Sequence, residues 1–235
     1  MVYQGLEITP PFFEIGPKAY MFGPEVVDLA RQADALSRAY DVQIIITPQD
    51  VDIANVARAV DTVLVFAQHM DPLERGRGVG SVLPEAVKAA GAAGVLLNHV
   101  EKRVSRDELA RTIRRADDVG LATMVCADDT DDAISIAELE PNVIIVESPV
   151  LIAGGRRDES GRASIAVANE AIWHVNRGIR VLHGAGITGA KDVHAVIAAG
   201  AQGAGSSSAI FMARDPQAML EAMIRAVREA WDETH

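Results

Sequence analysis

The stretch VLLNHVEKR (residues 95–103) decides how the chain is read. An apolar run of strand composition ends on Asn98 and His99, and charged residues follow at once. A histidine there has a plain explanation, as the polar edge of a core. It has a sharper one if other strands deliver polar groups to the same place.

Seven more runs have the same character: FFEIG (12–16), VQIIITP (42–48), TVLVFAQ (62–68), ATMVCAD (122–128), VIIVES (143–148), IRVLHGAG (179–186) and AQGAGSSS (201–208). The last is weak on composition and is assigned from the alternation. Helical patterns lie between them. PEVVDLARQADALSRAY (24–40) repeats apolar residues at three- and four-residue spacing. SRDELARTIRRADDVG (105–120) opens with the capping box Ser105 and Glu108 and ends on Gly120. ASIAVANEAIWHVNRG (163–178) is expected to end on Gly178. DPQAMLEAMIRAVREAW (215–231) carries Asp215 as cap and Pro216 at the first helical position.

Eight strands alternating with eight helices, without a linker or low-complexity break, predict a single α/β domain over 1–235, a (β/α)8 barrel. The competing doubly wound sheet commonly carries a G-x-G-x-x-G fingerprint after its first strand. Here that strand is followed by GPKAYMFG. Apolar residues make up 49% of the chain and aromatics 4%, which suits a buried parallel sheet under Ala-rich helices.

The net charge of -11 argues against a nucleic-acid partner, since the basic runs are only Arg114–Arg115 and Arg156–Arg157. No apolar run has the length of a membrane span, and the first residues lack the basic and apolar regions of a signal peptide. Cys126 is the single cysteine, so no intrachain disulfide forms, which fits a reducing compartment. A cytoplasmic protein is expected.

A barrel presents its active site at the C-terminal strand ends. Those ends deliver Gly16 and Lys18, Gln68, Asn98 and His99, Asp128, Glu147, His183, and Ser206 to Ser208. A carboxylate can take a proton from a carbon beside a carbonyl, a neutral imidazole can polarise that carbonyl, and a lysine can stabilise the developing charge. Glu147, His99 and Lys18 supply those three groups from three strands. The turns HGAGITGAKD and GAGSSSAI expose backbone N–H groups suited to a phosphate. The His and carboxylate spacing does not suggest a metal site, and no cofactor is expected.

With these residues in view, the chain resembles the triosephosphate isomerase family, especially its short archaeal-type branch. The resemblance is carried by FAQHMDP (66–72), VLPEAVKAAGAAGVLLNH (82–99), RRADDVGLATMVC (114–126), VESPVLIAGG (146–155) and HGAGIT (183–188). It implies that Lys18 is the active-site lysine, His99 the electrophile, Glu101 the carboxylate paired with the lysine, and Glu147 the base before a lid. Triosephosphate isomerase is itself a worked case of this division of labour. The resemblance also implies substrate or phosphate contacts from Gly16, Ala153, Gly154, Gly184, Gly186, Ser207, Ser208 and the backbone of Ala209. It implies a homodimer or homotetramer bridged by the loop RGRGVGSV.

Several positions depart from that pattern. Gly16 stands where the family has asparagine, which predicts an opened space before Lys18. Ala153 and Ala209 replace glycines, Val79 a threonine, Val100 a serine and His183 a cysteine, while Arg156 and Arg157 add cations. Residues 149–155 are expected to close over a phosphate, with His183 and Arg156 available to a longer sugar. Three readings stay open: a triosephosphate isomerase, an isomerase of another short sugar phosphate such as a tetrulose phosphate, and a catalytically weak sugar-phosphate-binding barrel.

Overall fold

The computed structural model describes residues 2–147 and 159–235, with side chains of the second segment from residue 164. Its strands are β1 (Phe12–Ile15), β2 (Gln43–Ile46), β3 (Leu64–Ala67), β4 (Gly94–Leu97), β5 (Ala122–Ala127), β6 (Val143–Val146), β7 (Arg180–His183) and β8 (Gly203–Ser206). All pair in parallel with their sequence neighbours, and β8 closes on β1. The expected (β/α)8 barrel is the observed fold.

The helices among the described residues are α1 (Pro24–Tyr40), α2 (Ile53–Ala57), α3 (Pro84–Ala89), α4 (Arg106–Val119), α5 (Thr130–Ala137), α6 (Glu159–Val175), α7 (Ala190–Ala198), α8 (Ser208–Phe211) and α9 (Pro216–Thr234). The extra member is the single turn α8, between β8 and α9. Caps act where the sequence places them. Ser105 accepts the Glu108 amide, Asp215 accepts the Ala218 amide, and Gly120 turns left-handed after α4. Helix α6 differs from expectation by ending at Val175. Asn176 accepts the Gly178 amide at 2.9 Å, so a side-chain turn rather than Gly178 itself stops the helix. No helix of the described residues is long and apolar enough to cross a membrane.

Alternation along the strands divides the core in two. Outward residues such as Phe13, Ile44, Val65 and Val181 pack under the helices. Inward residues, among them Phe12, Ile45, Phe66, Met124, Ile145 and Leu182, fill the barrel lumen. The N-terminal segment closes its lower end. Ile8 packs into the lumen, its carbonyl accepts from Arg180 Nε at 2.9 Å, and the Tyr3 carbonyl accepts from Asn142 at 2.8 Å.

One buried carboxylate ties the helix layer to the barrel. Asp34 of α1 is 4% exposed, and its Oδ1 accepts from the amides of Asp61, Thr62 and Val63 at 3.0, 2.7 and 3.2 Å. The Thr62 hydroxyl donates at 2.8 Å, and Arg38 lies 2.6 Å from the other oxygen. Burial acts to raise its pKa, but these hydrogen bonds prevail and lower it to about 2 from 3.8. Asp34→Ala would leave several amides before β3 without their acceptor and should cost at least about 1–3 kcal/mol. Because the folded-state pKa is depressed, the wild-type contribution is complete above pH 3.8 and disappears as pH falls through about 2. Urea midpoints of wild type and Asp34→Ala at pH 7 should differ accordingly; equal midpoints would contradict the role.

Candidate active site

The C-terminal ends of the strands open into a cavity of about 560 Å³. That is a normal volume for a small-molecule site. Gly16, Lys18, His99, Glu101, Glu147, Gly184, Gly186, Ser207 and Ser208 all line it. Of the expected site residues, Ala209 lies one step further, in α8, where it packs on the core and does not line the cavity. Ala153 and Gly154, the expected lid and the cations Arg156 and Arg157 lie outside the described residues.

Alternation alone explains Gly16, Gln68, Glu147 and Gly184, which continue the inward sets of β1, β3, β6 and β7. It does not explain Lys18 and His99. Both enter through left-handed residues: Lys18 itself has φ 47° and Asn98 has φ 58°. Such a conformation costs about 1–3 kcal/mol and persists when the surroundings over-determine it. The Lys18 carbonyl accepts from Gln49 Nε2 at 2.5 Å and from Gln68 Nε2 at 3.1 Å. Asn98 is pinned through Nδ2, which donates to the Cys126 carbonyl at 3.0 Å, and Arg103 donates to its carbonyl at 2.9 Å. The turn at Asn98 brings His99 to the mouth in its place.

Three charged or polar groups then fix one another. Lys18 Nζ donates to Glu101 Oε1 at 2.6 Å. Burial acts to raise the Glu101 pKa, but the hydrogen bond and charge of Lys18 hold it below its ordinary value. The Glu101 amide donates to His99 Nδ1 at 3.1 Å. An Nδ1 that accepts leaves the proton of a neutral ring on Nε2. Burial and then the Lys18 charge push the His99 pKa down, with Glu101 opposing and Arg103 adding to the fall.

On the opposite side, a Cβ on Gly184 would stand 2.6 Å from Glu147 Oε1, so glycine lets this carboxylate lie against the end of β7. Gly186 follows with φ 78°, a left-handed turn suited to glycine. The Ser207 hydroxyl is engaged, donating to the Gly16 carbonyl at 2.6 Å and joining the loops after β8 and β1. Ser207 and Ser208 both line the cavity, and their carbonyls accept from the amides of Ile210, Phe211 and Met212.

Some expected mouth residues have other duties. His183 is 2% exposed, and its Nε2 lies 2.9 Å from Asn169 Oδ1 of α6. Leu182 and Gly184 hold the inward positions of β7, so His183 faces the helix layer and is not available to a sugar. Asp128 pairs with Arg103 and accepts no place in the cavity lining. The space expected before Lys18 is not open either. Glu14, inward on β1, brings Oε1 within 3.1 Å of where a Cβ on Gly16 would stand. Glu14, Thr47 and Gln49 all line the cavity and were not singled out from sequence. The available signal was a lone carboxylate inside the apolar run FFEI. Among the described residues, no cluster of three or more His, Cys, Asp or Glu has the geometry of a metal site.

Comparison with known proteins agrees with this architecture. The family model for triosephosphate isomerase matches residues 17–226. The chain is 35% identical over 229 residues to the triosephosphate isomerase of Sulfurisphaera tokodaii, covering 96% of this chain and 99% of that protein. It is 34% identical over 227 residues to that of Saccharolobus solfataricus, covering 95% and 99%. A crystal structure of triosephosphate isomerase from Bartonella henselae superposes with a TM-score of 0.73 at 18% identity, over 91% of this chain and 98% of that one. On the family model and the near full-length similarity to archaeal members, the chain belongs to the triosephosphate isomerase family.

Proposed function

We propose that this aldose–ketose isomerase of the triosephosphate isomerase family works on a short sugar phosphate through an enediolate, with residues 1–235 acting as one barrel domain. Glu147 is the base, His99 the electrophile, and Lys18, oriented by Glu101, the fixed cation. The observation that supports this most is the hydrogen bond from the Glu101 amide to His99 Nδ1, which directs an uncharged Nε2–H donor into the cavity.

The sequence of events follows from those groups. Glu147 takes a proton from the carbon beside the carbonyl, and the electron pair moves onto the carbonyl oxygen. The His99 Nε2–H donates to that oxygen, and the Lys18 ammonium lowers the energy of the charge that collects there. The hydroxyl proton on the other enediolate oxygen then passes by way of the His99 Nε2 position to the former carbonyl oxygen. Glu147 returns its own proton to the former carbonyl carbon as the electron pair on the deprotonated oxygen forms the new carbonyl. Neutral imidazole suits this task because the acidity of its N–H lies closer to that of the enediol than an imidazolium's does. The turns at Gly184–Gly186 and Ser207–Ser208 offer backbone N–H groups to the phosphate.

A triose phosphate is the preferred substrate in this reading. The side chain of Glu14 occupies the space beside Gly16 that a tetrulose phosphate was expected to use, and His183 faces away. We also infer a cytoplasmic homodimer or homotetramer. Val79, an apolar residue at the tip of the loop between β3 and α3, is 107% exposed in the single chain, and Cys126 is a buried free thiol. Sedimentation should give a mass of two or four chains; a monomer would contradict the assembly.

Glu147→Asp would withdraw the carboxylate by about 1 Å and should lower kcat about a hundredfold. Proton exchange at the carbon beside the carbonyl, followed by NMR on glyceraldehyde phosphate, reads this directly. Wild-type rates in the Asp variant would remove Glu147 as the base. For His99, nitrogen NMR should report a neutral ring protonated on Nε2 at pH 6.5, the ordinary midpoint for imidazole. A normal titration there would remove the electrophile role.

A further inference from the structure

Glu14 sits in the barrel lumen with no part in the chemistry above. It is 9% exposed, lies between Ile45 of β2 and Gly205 of β8 in the sheet register, and lines the floor of the cavity. Thr47 donates to its Oε1 at 2.9 Å. A Cβ on Gly16 would lie 3.1 Å from Oε1 and 3.5 Å from Oε2, and a Cβ on Gly205 would lie 3.0 Å from Oε2. Two glycines thus adjoin the carboxyl, and both of its oxygens lie close to where a side chain at 16 would begin.

We propose that Glu14 is a further substrate-contacting residue of this reaction: its carboxyl, held by Thr47 beside Gly16 and Gly205 in the cavity lining, donates a hydrogen bond to the substrate oxygen that gains negative charge in the enediolate. The inference rests on the enediolate reading. The groups that bear on Glu14 are Glu147 from the end of β6, Lys18 from the loop after β1, and the Cys126 thiol of β5. Two carboxyls in one low-dielectric lumen disfavour each other's ionisation, and Lys18, the cation that bears on Glu14, already pairs with Glu101. Burial raises the Glu14 pKa most, the Thr47 hydrogen bond opposes, Glu147 raises it further and Lys18 opposes, leaving it at about 8. A carboxylic acid kept neutral by an apolar site is an effective donor to an oxyanion. The proton stays on Glu14 throughout, so the step is a hydrogen bond and not a transfer.

The test compares wild type, Glu14→Gln and Glu14→Leu on glyceraldehyde phosphate across pH. Glu14→Leu should lower kcat by about 10²–10³-fold, the usual effect of removing one oxyanion donor, with KM little changed. Glu14→Gln keeps a donor and should keep most of kcat. The wild-type rate should fall above about pH 8 as Glu14 ionises, and the Gln variant should lack that fall. Folding is followed by thermal melts. The folded carboxyl holds its proton to about 8 and the unfolded one to 4.5, so wild-type stability should decline as pH rises between those values. Glu14→Gln should not show the decline. If Glu14→Leu does not fold, the pH profile of Glu14→Gln decides.

Undiminished kcat in a folded Leu variant, or an unchanged alkaline fall in the Gln variant, would overturn the inference. If wild type turned over no sugar phosphate, the proposed function would fail instead. Glu14 would then be read from phosphoglycolate binding, measured by calorimetry. Wild-type affinity should weaken above about pH 8 and that of Glu14→Gln should not; identical pH dependence would overturn the role.

Discussion

Closure of the eight-stranded barrel is the constraint on which the rest of the molecule depends. A closed parallel sheet has no edge, so its only degrees of freedom are which residues face inward and what fills the lumen. Through most of its height that filling is apolar, with Phe12, Ile45, Phe66, Met124 and Leu182 meeting at the axis. At the C-terminal end the lumen opens into the cavity, and the inward positions become Glu14, Gly16, Gln68, Glu147 and Gly184. The site is the uppermost layer of the same alternation that builds the core.

Two residues break that alternation, and the break is what makes the site chemically varied. Lys18 and Asn98 adopt positive φ, which turns the chain so that the lysine and His99 reach the cavity. Each conformation is held by contacts across the fold. Gln49 and Gln68 from the loops after β2 and β3 hold the Lys18 carbonyl, and the backbone of β5 holds Asn98. The positions of Lys18 and His99 are thus set largely by strands and loops distant in sequence, with Arg103 adding a local contact to Asn98.

Electrostatically the cavity is organised around Lys18, the cation that pairs with Glu101. Burial raises the Glu14 pKa and Glu147 adds to the rise, while Lys18 acts to lower it, and burial prevails. The same two carboxyls, with burial foremost, push the Cys126 thiol well above its ordinary range and keep it unreactive. His99 is driven the other way, toward the uncharged form, by burial and by the lysine beside it. One local field therefore yields an acid that holds its proton and an imidazole that declines one.

The sequence by itself determined the barrel, the strand cores, the caps at Ser105 and Asp215 and the grouping of Lys18, His99, Glu101 and Glu147, because these depend on period, on short-range hydrogen bonds and on motifs that survive as strings of residues. It did not determine the fate of side chains whose surroundings come from other strands. His183 reads as a mouth residue until β7 turns it toward Asn169, and Gly16 reads as an opening until β1 lifts Glu14 into it. Gln49 lies in a plain loop and matters only because it reaches Lys18 across the fold. The inward or outward sense of a strand, and the neighbour that fills a gap beside it, depend on register across a closed sheet, and only the tertiary structure supplies that.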